Sequence, residues 1–127
     1  MEINYQEIYD CIEPTLPSDW KKISLYCAFW GTSCETKYFI SKQTGEVIDC
    51  LQLPDFDAVF EAISEVNQLF FDSRKENEDS QWFVITIVID DTGSFSSYFD
   101  YSNALNEQED YFELWKKQYV YEDNNNG

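Results

Sequence analysis

The sequence predicts a single α+β domain in which helices pack on an antiparallel sheet of about five strands. Three observations lead to this prediction. The chain has 127 residues and is 43% apolar, which is enough to bury one core. Segments of twofold alternation and segments of helical spacing follow one another in the order α-βββ-α-ββ-α. Short polar turns join successive strand segments, as in antiparallel pairs.

Apolar spacing defines the three helices. The first covers residues 3–13 and is stopped by the prolines that follow it, and the second covers residues 55–76 with Asp55 as its N-cap. The last begins near Asn103. The predicted strands cover residues 20–30, 34–42, 46–50, 81–90 and 94–101. Residues 1–121 are therefore expected to form the domain, and the polar residues 122–127 a flexible tail. The core is expected to include Trp20, Trp82 and Trp115.

Cysteine and histidine usage limits the chemistry of the chain. The four cysteines lie far apart in the sequence, no C-x-x-C pair occurs, and there is no histidine. A zinc site is not expected, and the cysteines are expected to be free thiols, mostly in the core. The lack of histidine removes the commonest general base and any Ser–His or Cys–His nucleophile pair. We predict no catalytic residue, no metal and no cofactor.

The expected location is the cytoplasm. The N-terminal segment carries acidic residues rather than a basic region followed by an apolar stretch, so it does not resemble a signal peptide. No apolar run reaches the roughly 18–20 residues that a membrane span requires. We therefore expect no membrane association.

The negative charge is concentrated in the C-terminal two thirds of the chain. The formal net charge is −17, and residues 1–42 hold six acids and four bases whereas residues 43–127 hold nineteen acids and four bases. Such a surface repels nucleic acid and anionic membranes and attracts a basic protein. Solubility alone is the alternative explanation of this acidity.

The stretch Asp90-Asp91-Thr92-Gly93 follows a hydrophobic strand, as the catalytic loop of an aspartic protease does. That chemistry requires two carboxylates that share one proton, and one such stretch per chain could supply them only in a dimer. No glycine occurs between Gly93 and Gly127 to buttress an active-site loop. Asp and Gly are the residues that a hairpin turn requires. The stretch is therefore interpreted as a turn.

A series of short segments, in order along the chain, resembles the YezG-like family of bacterial immunity proteins. The segments are PSDWKKISLY, LFFDSRKE, DDTGSFSSYFDY and LWKKQY, and the similarity covers about residues 3–121. No single segment is specific to this family, but the ordered set of segments, with its spacing, supports the resemblance. The residues that match the family pattern are Pro17, Trp20, Phe70, Arg74, Thr92, Gly93, Phe95, Asp100, Tyr101, Trp115, Lys117 and Tyr119.

The resemblance implies a small cytoplasmic protein that binds and neutralises the toxin domain of a polymorphic toxin, such as an LXG-type or contact-dependent-inhibition effector. It implies a toxin that is often a nuclease, no catalytic residues and no cofactor. The partner would be the cognate toxin domain rather than nucleic acid or membrane, and the free protein is expected to be a monomer. The Asn-rich tail and the strong acidity of this chain depart from the family pattern.

Acidic and aromatic residues are the candidates for toxin binding, because a nuclease needs a basic groove to hold phosphates and carboxylates can occupy such a groove. The long helix carries acids at i, i+4 spacing, the hairpin and its second strand supply acids and tyrosines, and the last helix supplies further acids. The candidates are Asp57, Glu61, Glu65, Asp90, Asp91, Tyr98, Asp100, Tyr101, Glu107, Glu109, Asp110 and Glu113.

The candidate residues also have simpler structural explanations, and the sequence allows two other functions. The acids of the long helix could form only a solvated face, and the strand aromatics could belong to the core. A metal-dependent hydrolase built on Asp90, Asp91 and Asp100 is a second function, since hard cations favour carboxylate oxygens. An acidic adaptor with an unrelated partner is a third.

Overall fold

Five antiparallel strands form one sheet in the order β3-β2-β1-β4-β5. The computed structural model describes residues 4–30, 33–76, 83–101 and 108–121. The strands are β1 (Trp20–Trp30), β2 (Ser33–Lys42), β3 (Val47–Asp49), β4 (Val84–Asp90) and β5 (Phe95–Asp100). The helices are α1 (Tyr5–Ile12), α2 (Phe56–Glu76) and α3 (Gln108–Lys116), and a π-helical turn (Lys117–Tyr121) follows α3. The predicted element order α-βββ-α-ββ-α is confirmed.

Helices cover both faces of the sheet. Alternate residues of β1, including Ile23 and Leu25, point to the face on which α1 and α2 pack. The intervening residues Tyr26 and Ala28 point to the opposite face, where α3 and the π-helical turn pack. The central strand is consequently buried on both sides, as in a three-layer arrangement. Two separate apolar clusters result, one on each face.

The helix boundaries follow from capping groups. Asn4 accepts a hydrogen bond from the backbone N–H of Glu7 at 3.0 Å and caps α1. The predicted cap of α2 is confirmed, because the Asp55 carboxylate accepts a hydrogen bond from the N–H of Ala58 at 3.1 Å. The start predicted for α3 near Asn103 falls outside the described residues. Within the described ranges, no helix is both long and apolar enough to cross a membrane.

The tryptophans, and most of the cysteines, were expected in the core, and the burial of their side chains can be compared with that expectation. Trp115 is buried, and Trp20 is partly exposed but packs against the core. Trp82 lies outside the described residues. The four cysteines are thiols and do not form disulfides, with Cys27 and Cys50 buried and the other two partly exposed.

The stretch Asp90-Asp91-Thr92-Gly93 forms the β4–β5 hairpin turn, as predicted. The N–H of Gly93 donates to the carbonyl of Asp90 at 3.0 Å, and the N–H of Asp90 donates to the carbonyl of Ser94 at 3.1 Å. Gly93 has φ of +92°, a left-handed conformation that side chains with a Cβ rarely adopt. This pattern is a type I turn followed by a left-handed residue, one of the common hairpin connections.

Two substitutions in this turn have different expected costs. Gly93→Val should lower the free energy of unfolding by roughly 1–3 kcal/mol, because a β-branched residue is strained at positive φ. Asp91→Asn should change it by less than about 1 kcal/mol, since Asp91 is exposed and Asn is suited to turns. Urea unfolding of both variants measures the difference. A Gly93→Val protein as stable as the wild type would contradict the turn assignment.

Candidate binding surface

A groove of about 300 Å³ opens between β5 and the C-terminal helical segment, on the sheet face that α3 covers. We call it the tyrosine groove, because three of its ten lining residues are tyrosines. The lining residues are Val84, Thr86, Tyr98, Phe99, Asp100, Tyr111, Leu114, Trp115, Gln118 and Tyr119.

Strand alternation and helical spacing bring these side chains together. Tyr98 and Asp100 are two residues apart on β5 and therefore point to the same face of the sheet. On the helical segment, Tyr111, Trp115 and Tyr119 recur every four residues and form one stripe toward that face. The Tyr98 and Tyr119 rings lie 5.3 Å apart between centroids, which joins the strand to the helix along one wall of the groove.

Buried and partly buried hydrogen bonds fix the helical segment against the sheet. The Trp115 indole N–H donates to the Thr86 hydroxyl at 2.8 Å in a buried position. The carbonyl of Tyr119 accepts from the Ser24 hydroxyl at 2.8 Å and from the Lys22 ammonium at 3.1 Å. Carbonyls at a helix C-terminus need such donors, and a cation there is favourable. The floor of the groove is thus held in place at the middle of the segment and near its C-terminal end.

Asp100 supplies the carboxylate of the groove. Its oxygen accepts a hydrogen bond from the Tyr111 hydroxyl at 2.8 Å. Burial, and then this hydrogen bond and the charge of Asp100, raise the pKa of Tyr111. Burial also raises the pKa of Tyr119, with the neighbouring Tyr98 and Asp100 adding to the shift. Both phenols are therefore neutral at physiological pH, and the groove presents a carboxylate beside neutral aromatic rings.

Exposed apolar side chains surround the mouth of the groove. Tyr98 is 48% exposed and Leu114 is 65% exposed. Phe99 and Tyr101 are also exposed and stack on each other, with ring centroids 6.4 Å apart. Several exposed apolar side chains beside one groove are typical of a protein-binding site. Tyr98 and Tyr101, two of the toxin-binding candidates from the sequence, are both exposed, and their role in binding stays a prediction.

The acids predicted on the last helix are only partly described. Glu113 is exposed on α3, and its carboxylate lies 2.9 Å from the Lys116 ammonium. The backbone positions of Glu109 and Asp110 fall in α3, but their side chains lie outside what the structure describes, as does all of Glu107. Within the described residues, therefore, Glu113 and Asp100 are the predicted carboxylates on this side of the sheet.

The hairpin acids lie at the far end of β5. Asp100 pairs with Val84 at one end of β4, and Asp90 lies six residues further along that strand. At 3.3 Å per residue, Asp90 is therefore about 20 Å along the sheet from Asp100. One oxygen of the Asp90 carboxylate accepts from the backbone N–H groups of Thr92 and Ser94. Asp91 accepts from the Gln43 side chain at 2.6 Å. These acids adjoin a separate, smaller hollow of about 210 Å³ beside α1.

The hydrogen bonds to Asp90 predict a particular response to acid. Bonds from the Thr92 hydroxyl and from the backbone N–H groups of Ser94 and Thr92 lower its pKa. Because the folded-state pKa is depressed, the associated stabilisation is present at neutral pH and is lost as pH falls through that pKa. Thr92→Val should raise the Asp90 pKa toward its ordinary value, as measured by carbon-detected NMR titration. An unchanged midpoint would contradict the assigned hydrogen bond.

The acids of α2 lie on the opposite side of the molecule from the tyrosine groove. Asp57, Glu61 and Glu65 are exposed on the outer surface of this helix. Beside them, Phe56 and Phe60 are 56% and 61% exposed and stack with centroids 5.7 Å apart. Both side chains are apolar and lie on the long helix, but neither is part of its buried face. The predicted site residues therefore occupy three separate surfaces.

Sequence reasoning missed the helical wall of the groove. Tyr111 and Leu114 were not among the candidates, and Trp115 and Tyr119 were considered only for the core and for the family resemblance. The spacing of Tyr111, Trp115 and Tyr119 was the available signal. It indicates a face that packs on the sheet, but not that its edge remains open beside β5.

Comparison with known proteins identifies the family. The model of the family described as Immunity protein YezG-like matches residues 1–126. This chain belongs to the YezG-like immunity protein family. Among relatives, Immunity protein YezG of Bacillus subtilis (strain 168) is 25% identical over 128 residues, covering 91% of this chain and 85% of the relative. Immunity protein YezG of Bacillus spizizenii (strain ATCC 23059 / NRRL B-14472 / W23) is 28% identical over 110 residues, covering 80% and 68%.

Two of the segments on which the YezG-like resemblance rested meet at the groove. Asp100 ends β5 and Tyr101 follows it, and Trp115 and Tyr119 lie across the groove from Asp100 on the helical segment. The Thr92-Gly93-Phe95 segment forms the hairpin at the other end of the same strand. The groove therefore lies between β5 and α3, which begins eight residues after β5 ends.

Proposed function

We propose that this YezG-like protein binds a cognate toxin domain in the cytoplasm and neutralises it through the surface around the tyrosine groove. Family membership implies an immunity protein. The proposed position of the binding surface is supported by one observation: Tyr98, Leu114 and Tyr101 are exposed near the Asp100 carboxylate. Binding energy at interfaces is concentrated in aromatic side chains of this kind. The protein acts by binding and not as an enzyme.

The charge of the chain supports a basic partner. The net charge of −17 produces a field that attracts a cationic surface over a distance of the order of the Debye length. A nuclease has such a surface, because it must hold phosphates. We therefore propose a nuclease as the toxin. Asp57, Glu61 and Glu65 contribute to this long-range field from the far side, whereas Asp100, Tyr98 and Tyr101 make contact.

This division of roles predicts salt-dependent association. Raising the salt concentration from about 0.01 to 0.15 M shortens the Debye length from about 30 to 8 Å. The association rate should fall accordingly, and dissociation should change less, because buried contacts determine the residence time. Stopped-flow fluorescence with the toxin domain measures both rates. An association rate that is independent of salt would indicate that the acidity serves solubility alone.

The geometry does not favour a carboxylate-based metal hydrolase. Asp100 lies about 20 Å along the sheet from Asp90 and Asp91, so the three carboxylates do not converge on one ion. Among the described residues, no group of three or more Cys, Asp or Glu is placed to hold a metal. Nucleophilic chemistry at the buried Cys50 is also unfavourable, because burial raises the pKa of its thiol to about 11.

Co-expression tests the proposed function. The first step is to search the genes next to this one for a long reading frame with a variable C-terminal domain, and to use that domain as the toxin. We expect growth to be restored when this protein is expressed with that domain, and a stable complex to be recovered from the cells. Failure of growth rescue together with no complex would contradict the immunity function. An acidic adaptor would give no rescue with the neighbouring toxin while retaining its fold.

A further inference from the structure

The smaller hollow of about 210 Å³ lies between α1 and the β4–β5 hairpin, on the sheet face opposite the tyrosine groove. Three of its eight lining residues are aromatic, namely Tyr9, Trp20 and Phe95. We call it the aromatic hollow. Its volume is below the roughly 300–1,000 Å³ of sites for drug-sized molecules. The aromatic hollow can therefore hold a compact head group.

The aromatic rings of the hollow are held in place by the core. Tyr9 and Trp20 lie 6.1 Å apart between ring centroids, with 46° between the ring planes. Phe95 contacts the Tyr5 ring at 5.6 Å, and all four side chains pack against the core cluster on this face. A ring attracts a cation that lies within about 6 Å of its centroid. Because the Tyr9 and Trp20 centroids are 6.1 Å apart, one cation can lie within that distance of both.

Two carboxylates line the same hollow, those of Asp90 and Asp91. Asp90 accepts hydrogen bonds from Thr92 and from the backbone of Ser94. Asp91 accepts one from the Gln43 amide. These donors are neutral groups, so they fix the carboxylates without cancelling their charge. In the described part of the chain, neither acid forms an ion pair. The hollow therefore combines aromatic rings with two uncompensated negative charges.

This lining distinguishes between classes of cation. A hard metal ion needs six or more oxygen ligands, and aromatic rings supply none. Among the described residues, no group of three or more Cys, Asp or Glu is placed to hold a metal. A primary ammonium is strongly hydrated and has three N–H groups that need acceptors when water is removed. A quaternary ammonium ion has no N–H group, and its methyl groups can contact the rings while carboxylates balance its charge.

We propose that the aromatic hollow is a binding site for a small quaternary ammonium ion of the trimethylammonium class. The trimethylammonium group contacts Tyr9 and Trp20, and its charge lies beside Asp90 and Asp91. An attached phosphate or carboxylate would be repelled by these two acids, so the ligand is a simple cation and not a phosphocholine head group. The site belongs to the free protein and does not depend on the proposed toxin binding.

NMR titration of the free protein at constant ionic strength tests the site. The probe is choline, and the matched control is 3,3-dimethyl-1-butanol, which has the same shape with carbon in place of the charged nitrogen. We expect saturable shifts of the Trp20 indole N–H and the Gly93 amide with choline. The alcohol should bind more weakly by about tenfold or more, because it lacks the charge. Ethanolamine and phosphocholine should also bind more weakly than choline.

Variants separate the hollow from general attraction to an acidic protein. Tyr9→Leu removes one ring but keeps an apolar side chain, and Asp91→Asn removes one charge at an exposed position. Each should weaken choline binding by about threefold or more. Phe60→Leu and Asp57→Asn make the same exchanges on α2, where an exposed ring also lies near exposed acids, and should leave binding unchanged. Amide spectra check the fold of each variant.

Each outcome of these titrations supports or overturns the proposal. Localised choline binding that is weakened by Tyr9→Leu and Asp91→Asn supports it. Equal binding of choline and the alcohol, shifts spread over the whole surface, or equal losses in the α2 variants would overturn the cation site. Ethanolamine or phosphocholine that binds as tightly as choline would overturn the choice of a simple trimethylammonium ion. Failure of growth rescue would contradict the immunity function and leave this site standing.

Discussion

Trp115→Ala is expected to lower the free energy of unfolding by about 3–5 kcal/mol, as for other large aromatic residues removed from a core. Trp115 is 2% exposed, its ring contacts Tyr26 at 5.0 Å between centroids, and its indole N–H satisfies the buried Thr86 hydroxyl. The melting temperature should fall by roughly 10–20 °C. Thermal unfolding followed by circular dichroism measures the change.

Two further variants make this stability prediction specific. Trp115→Phe retains a ring but removes the donor to Thr86, so it should cost about 1–3 kcal/mol. Leu114→Ala changes the neighbouring residue, which is 65% exposed, and should alter stability by no more than about 0.5 kcal/mol. Equal losses at Trp115 and Leu114 would contradict the placement of α3 against the sheet.

The double variant Tyr98→Ala with Leu114→Ala is expected to weaken toxin binding by roughly 2–4 kcal/mol, or about 30-fold to 1000-fold. Both side chains are exposed at the mouth of the groove, so their removal should affect binding far more than folding. Titration calorimetry with the toxin domain gives the affinity, and thermal unfolding checks that the fold is retained.

The matched control is Phe56→Ala with Phe60→Ala on α2. These two side chains are also exposed and apolar, but they lie on the opposite layer of the molecule. Their removal should change the affinity by less than a factor of about three, as for residues outside an interface. If this control lost affinity and the groove variant did not, the binding surface would lie on α2.

Local sequence patterns predicted the elements well because each element has its own periodicity. The alternation of β1, the cap at Asp55 and the turn at residues 90–93 are local features, and all three were confirmed. The distribution of helices over the two sheet faces was not predictable in this way. Tyr26 and Ala28 are apolar on the second face of β1, but the pattern does not say which helix covers them.

The candidate surface was predicted only in part, for the same reason. Tyr98, Asp100 and Tyr101 were identified from their spacing on one strand. Tyr111 and Leu114 belong to the surface because α3 crosses the face of the sheet beside β5, which is a tertiary relationship. Asp57 and Asp90 were grouped with Asp100 because all three are acidic, but the three residues lie on separate surfaces. A sequence shows which residues are charged and does not show where they lie in space.

Hydrogen–deuterium exchange of the free and toxin-bound protein tests whether the toxin binds at the tyrosine groove. We expect slower exchange on binding in peptides that cover residues 95–101 and 108–121, which contain β5, α3 and the π-helical turn. Peptides from the first half of α2 and from the β4–β5 turn should exchange at the same rate in both states. Protection confined to α2 or to the turn, with none in residues 95–101, would contradict a toxin-binding surface at the tyrosine groove.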